Sequence, residues 1–295
     1  MKKGSIYLII SALLFGFIGV FNRWILLPPT VLSFYRFIIA AIFLFIVIKF
    51  KKEKIKFLSK DIPLLVLLSV GYIISSIFFI KAIRYLTISS ADFVFYLFPV
   101  LVAILSPVFL KERVQIKTFF ALLIALIGIY FLLGPENLKG NFNGSNLIGL
   151  ACSFIAAIAY AMNILISKKL AAHYSSYSLT FVQCIIGSII LLPFIISTDY
   201  TLTINNFVLL LVFGIVIWGA GITLLFKGLK TVTASESAII MYLDPLSATI
   251  YGVILFREIP AVISLIGGVL IIIAGYMITI NKRQQNSNHT LSTSI

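Results

Sequence analysis

The sequence predicts an all-α membrane protein of ten transmembrane helices, arranged as two inverted five-helix repeats. Three observations lead there. Of 295 residues, 61% are hydrophobic and 11% charged, against about half and a quarter in a soluble domain. The apolar residues fall in ten runs, each near the ~20 residues a spanning helix needs. Charged and polar residues of the first half recur in the second at a fixed offset. Such a composition excludes an intrinsically disordered chain and a water-soluble enzyme.

The ten spans run over about 5–22, 29–48, 62–83, 90–110, 117–134, 147–167, 178–196, 206–226, 236–256 and 261–280. Their breaks have physical causes. Pro28-Pro29 separates the first two spans, Lys51-Lys52-Glu53-Lys54 ends the second, and Lys111-Glu112-Arg113 ends the fourth. Gly134-Pro135 and Gly140-Asn141 mark a loop between the fifth and sixth. Lys2 and Lys3 before the first run resemble a signal-peptide start, but more spans follow, so this run reads as a retained helix. Cys152 and Cys184 lie inside apolar runs and read as small core side chains, not a disulfide pair.

The net charge of +14 suggests nucleic acid in a soluble protein. Here it is a topology signal instead. Ten spans put both termini on one side, and seventeen of the 23 Lys and Arg residues fall there. Four (Arg23, Arg84, Lys139, Arg257) fall opposite, and Arg36 and Lys81 lie within spans. Basic loops stay inside, so both termini are expected in the cytoplasm and the chain in the cell membrane.

The repeat is carried by residues that rarely match by chance. Ile80-Lys81-Ala82-Ile83-Arg84, Thr87, Tyr96, Pro99 and Glu112 are answered 146 positions later by Phe226-Lys227-Gly228-Leu229-Lys230, Thr233, Tyr242, Pro245 and Glu258. Gly4 to Arg23 aligns with Gly149 to Lys168, and Ala121 and Gly128 with Gly268 and Gly275. Each half holds an odd number of spans, so the second enters the membrane from the opposite side. The expected division is a first repeat over 1–138, a connecting loop over 139–146, a second repeat over 147–281 and a polar tail over 282–295. Inverted repeats build alternating-access carriers.

The segments Ala82 to Glu112 and Gly228 to Glu258, with Phe37-Ile38-Ile39-Ala40-Ala41 after Arg36, resemble the EamA-type branch of the drug/metabolite transporter superfamily. The likeness covers about residues 4 to 280. It implies a ten-helix carrier of small metabolites, commonly outward, with a central cavity between the halves. It also implies that the third, fourth, eighth and ninth helices move most, while the fifth and tenth lie away from the cavity. Many members carry an acid before the second proline, where this chain has Asp244. Lys81 and Lys227 depart from the family, which usually has uncharged residues there.

Ionisable groups inside a bilayer are costly and mark candidate sites. Asp244 precedes Pro245, which removes a helix hydrogen bond; an amine, cation or proton is the expected partner. Arg36 is a candidate for a substrate carboxylate, with outward snorkelling or bracing of Asp92 as the structural alternative. Tyr35, Tyr72, Tyr96, Trp218 and Tyr242 are candidate aromatic walls. Lys81 and Lys227 are candidate gates, read alternatively as interfacial anchors, and Pro99 and Pro245 are candidate hinges. Asn22, Ser33, Ser75, Ser76, Asn163 and Gln183 are polar groups for the pore or for helix contacts. Asp92 and Glu236 suit helix N-termini, Glu112 and Glu258 helix-end salt bridges, and Trp24 the interface.

No Walker sequence, nucleophile elbow or His-Glu-x-x-His pair occurs. No cofactor, metal or nucleic-acid partner is therefore expected. The expected function is secondary transport of a small amino acid or related zwitterion, with efflux of hydrophobic organic cations second. A membrane-embedded lipid-modifying enzyme is the competing class and lacks an acid-base cluster. Small residues at Ala121, Ala125, Gly128, Gly268 and Gly275 suit close helix packing, either in a homodimer or inside one chain.

Overall fold

The computed structural model describes residues 3–55, 57–86, 88–112, 114–133, 144–257 and 261–280. These residues form helices only. Nine are long and apolar enough to cross a membrane: α1 (Lys3–Trp24), α2 (Pro29–Phe50), α3 (Ser59–Ala82), α4 (Ser90–Leu110), α5 (Ile116–Leu133), α6 (Asn146–Ala171), α7 (Ser176–Ile196), α8 (Ile204–Leu229) and α9 (Ala234–Phe256). A tenth, α10 (Val262–Ile278), is apolar and shorter. The predicted tail, Glu258, Arg113 and most of the 139–146 loop lie outside the described residues. The helical stretch that contains α6 begins at Gly144, inside that predicted loop.

Two helices are broken at matching places. Regular helix in α4 stops at Phe95 and resumes at Phe98; in α9 it stops at Ile240 and resumes at Leu243. Pro99 and Pro245 lack the N–H that would bind the carbonyl one turn back, so each helix steps sideways there. The two breaks meet: the Tyr242 hydroxyl donates to the Tyr96 carbonyl at 2.7 Å. Both helices also end alike, on a left-handed residue, Lys111 (φ 55°) and Arg257 (φ 56°).

The helices pair across the halves: α5 on α10, α3 on α6, α2 on α7, and α1 on α8 and α9. The α5–α10 seam is close-packed. A Cβ on Gly267 would stand 2.5 Å from the Gly128 carbonyl oxygen and 2.4 Å from the Leu132 nitrogen. The small-residue faces thus pack within one chain. The residues responsible are Gly128 and Gly267; a Cβ on Gly275 would meet nothing within 4 Å.

The largest buried cluster joins α1, α2, α3, α4, α6, α7, α8 and α9, with Phe37, Phe213, Trp218 and Phe226 among its bulkiest members. Large side chains such as Ile104, Val108, Ile189, Ile254 and Val262 are exposed on the outside. That apolar exterior is what a bilayer solvates and water does not.

Candidate functional site

A cavity of about 430 Å³ lies between α1, α2, α3, α4, α6, α7, α8 and α9. It extends to the α1–α2 connection, where Asn22, Ile25, Leu27 and Pro29 line it. Its floor reaches Gln183 of α7 and Leu225 of α8. Asn22, Ser33, Ser75, Ser76, Asn163 and Gln183 all face it. Two of these are also tied to neighbouring helices: Ser75 Oγ donates to Ala156 O at 2.9 Å and Asn163 Nδ2 to Leu68 O at 2.6 Å.

Arg36 and Asp244 both line this cavity. Arg36 is 6% exposed, and its Nε has no hydrogen-bond partner. Its guanidinium sits 4.0 Å from the Trp218 ring centre, 5.5 Å from Phe37 and 5.8 Å from Tyr72. Cation–π contact of this kind contributes about 1–2 kcal/mol when desolvated and cannot replace a counter-ion. Neither Arg36 nor Asp244 has an ion-pair partner among the described residues. The cavity therefore presents a guanidinium and a carboxyl group that form no ion pair with one another.

The aromatic wall is partly as expected. Tyr72, Tyr96 and Trp218 line the cavity, joined by Phe79, Phe95, Phe98 and Tyr160. Tyr35 lies outside the lining and pairs with Tyr200, hydroxyl to hydroxyl at 3.0 Å. Tyr242 is fully buried and braces the crossing of α4 and α9. Pro99 and Pro245 are buried beside the breaks and do not face the cavity.

Trp218 owes its place to a feature without a sequence signal. Residues Phe213–Gly221 wind as π-helix within α8. A π turn widens the helix and shifts side chains relative to α-helical spacing. Gly214 and Gly219 let α2 approach: a Cβ on Gly214 would sit 2.7 Å from Ile39, and one on Gly219 would sit 3.0 Å from Phe43. The Trp218 Nε1 and the Gln183 Oε1 are buried without partners, like the Arg36 Nε.

The opposite end is tied shut. Lys168 Nζ donates to the carbonyls of Leu229 (2.5 Å) and Val232 (2.6 Å) and lies 3.8 Å from Glu112 Oε1. Glu112 Oε2 accepts from Ala234 N at 2.9 Å. Thr233 and Glu236 close a reciprocal capping box at the start of α9. Lys227 Nζ donates to the Tyr177 hydroxyl at 2.7 Å. Beyond the helices, Tyr174 donates to Asp61 and Ser175 to Glu53. The hydrogen bond pushes the Tyr174 phenol above its usual range. Lys81, the counterpart of Lys227, is exposed and outside the lining. Sequence places Glu112 at a basic helix end but carries no sign that it caps the start of α9.

No group of three or more potential metal ligands occurs among the described residues. A polytopic helical protein with a charged, aromatic-walled cavity that is open at one end and tied at the other has the architecture of a membrane transporter. The chain belongs to the EamA-like transporter family, which matches residues 2–134 and again residues 147–280. YxxF of Bacillus subtilis, described as an uncharacterized transporter, is 28% identical over 97% of this chain and 92% of its own. An S-adenosylmethionine uptake transporter of Rickettsia conorii is 29% identical over 68% of this chain and 67% of its own. The pseudopaline exporter CntI of Pseudomonas aeruginosa is 21% identical over 87% and 88%. A crystal structure superposes with a TM-score of 0.84 at 16% identity, over 94% of this chain and 98% of its own, and shows the shared fold. The protein is thus an integral membrane transporter of small molecules rather than an enzyme.

Proposed function

We propose that the protein is a secondary transporter carrying a small zwitterion, an amino acid or a relative of one, across the cell membrane by alternating access. The observation that carries this reading is the pair Arg36 and Asp244, two opposite charges on one cavity with no ion-pair partner among the described residues. Unpaired charge in a membrane interior is costly, and a ligand bearing a carboxylate and an ammonium group relieves both sites at once. Arg36 takes the carboxylate, Asp244 the ammonium or a proton, and Tyr72, Tyr96 and Trp218 wall the apolar part.

Two inverted repeats, 1–138 and 147–281, supply the motion. Several features support that arrangement. Exchanging each helix for the one five places along maps several of the main pairings onto one another: α3–α6 becomes α8–α1, and α4–α6 becomes α9–α1. The proline breaks and the left-handed ends at Lys111 and Arg257 obey the same exchange. The basic-residue bias puts both termini in the cytoplasm. Gly4, near the N-terminus, packs on Gly228 and Thr231, so the tied end is cytoplasmic and the mouth at Asn22 faces outward.

Purified protein is screened by thermal shift against amino acids, amines and organic cations, since a ligand of the folded state raises its apparent stability. The best ligand then goes into proteoliposome transport. Asp244→Asn and Arg36→Gln are each expected to weaken a zwitterion at least tenfold, the scale of one lost charge-assisted hydrogen bond at ~1.5–3 kcal/mol. If only Asp244→Asn matters and apolar cations bind best, the organic-cation reading replaces this one. Unchanged affinity and unchanged pH dependence in Asp244→Asn remove that residue from the mechanism.

A further inference from the structure

The closure at the tied end is built from four parts. Lys168 at the end of α6 grips the carbonyls of Leu229 and Val232 in the α8–α9 turn. Left-handed Lys111 turns the chain at the end of α4, and the next residue, Glu112, caps Ala234 N. The turn, the cap and the gripping ammonium thus tie helices of both halves. Each part has a counterpart under the repeat. Lys168 answers to Arg23, Leu229 and Val232 to Ile83 and Leu86, Lys111 to Arg257, and Glu112 to Glu258.

Three of these counterparts already stand where an outer closure needs them. Arg257 adopts the same left-handed turn as Lys111. Arg23 lies against the end of α9, its guanidinium 4.7 Å from the Phe256 ring centre, as Lys168 lies near the end of α4. Ile83 lines the same cavity as Asn22, the residue before Arg23.

We infer that Arg23 is the gripping residue of a second latch. When the outer mouth closes, its guanidinium leaves the Phe256 face and donates to the carbonyls of Ile83 and Leu86, while Lys168 releases Leu229 and Val232. The two cations then work in opposition: Lys168 holds the outward-open state, and Arg23 holds the inward-open one. A guanidinium has donors enough to bridge two carbonyls while keeping its charge. This inference rests on the inverted-repeat reading and needs no knowledge of the substrate.

The test uses purified full-length protein in detergent, with Ser76→Cys as reporter of the outer cavity and Ser235→Cys as reporter of the inner closure. Ser76 lines the cavity, whereas Ser235 is 3% exposed and bonded to Ser106. Reaction with a hydrophilic maleimide is timed against the parent chain, whose own thiols Cys152 and Cys184 are buried. Lys168→Met is expected to speed labelling of the inner reporter and slow that of the outer one, each by about tenfold, the effect of removing charged hydrogen bonds from one side of a two-state equilibrium. Arg23→Met is expected to do the reverse, slowing the inner reporter further. The double variant returns both rates toward the parent, and Arg23→Lys, which keeps a donor, stays near the parent. If Lys168→Met shifts both reporters and Arg23→Met shifts neither, or shifts them in the same direction as Lys168→Met, the outer latch is wrong while alternating access stands. If no variant moves the two reporters in opposite senses, the alternating-access reading itself fails.

Discussion

The two ends of the helix bundle are made from similar sequence and differ in state. At the tied end, Lys168, Glu112 and Lys227 all hold hydrogen-bond or ion-pair partners on neighbouring helices. At the open end, Asn22 is exposed and Ile83 lines the cavity. Composition does not make the difference, since the counterparts are an arginine for a lysine, an isoleucine for a leucine and a leucine for a valine. Distance does: carbonyls near α9 are within 2.6 Å of a cation at one end, while at the other a cavity separates the helices. Under the proposed alternating access, closure is a property of which contacts are made in each state, and the chain carries residues for both sets.

The glycines offer the sharpest test of that contrast, with the largest effect. At the tied end a Cβ on Gly228 would stand 2.5 Å from Leu8 and 3.0 Å from the Gly4 carbonyl. On the far half of the same α1, a Cβ on Gly19 would meet nothing within 4 Å. Gly228→Ala is expected to lower stability in detergent by about 2 kcal/mol through overpacking. Gly19→Ala is expected to be neutral or to add up to ~1 kcal/mol from helix propensity. Thermal unfolding of the two variants side by side reads the difference, and equal shifts contradict the tight-end, open-end contrast.

Much of the helix pattern was legible because lipid demands long apolar runs, and the proline breaks were legible because proline cannot donate. Helix ends were less so. The sixth span was expected to stop near residue 167; the helix runs on to Ala171. Lys168 can stay helical because carbonyls from residues 229 and 232 take up its charge, and those partners are invisible at 168. The π-helical turn under Trp218 was unreadable for a related reason: Gly214 and Gly219 look like ordinary small residues until α2 is packed on them. Arg36 and Asp244 were singled out chiefly by their cost in a bilayer, and both line the cavity. Tyr242 was chosen for being aromatic, yet its hydroxyl is used on a backbone carbonyl 146 residues away.

Glu112 sharpens the comparison at intermediate size. Its carboxylate does two things, capping Ala234 N and facing Lys168 at 3.8 Å. Glu112→Ala removes both and is expected to cost about 1.5 kcal/mol. Glu112→Gln keeps an acceptor for the cap and loses only a partly exposed ion pair, for ~0.5 kcal/mol. Thermal unfolding at low and high salt separates them: the Glu112→Gln deficit shrinks with salt, whereas that of Glu112→Ala largely persists. A common salt response would assign the tie to charge instead of to the cap.

The smallest expected effect is also the one with a defined pH course. The Tyr174 hydroxyl donates to Asp61 and accepts from Leu58 N at 3.1 Å, joining the α6–α7 turn to the α2–α3 loop at the tied end. Tyr174→Phe leaves both groups without it and is expected to lower stability slightly. Because the hydrogen bond to Asp61 raises the phenol above its ordinary value, near 10 in an unfolded chain, the tie is fully present below that value. It is lost only as pH climbs through the higher folded-state value. The stability gap between parent and Tyr174→Phe should therefore stay constant from about pH 6 to 9 and narrow only above roughly pH 10. A gap that narrows at neutral pH would mean that a different group carries the contact. The closed end would then owe less to this loop pair than to the lysine and glutamate above it.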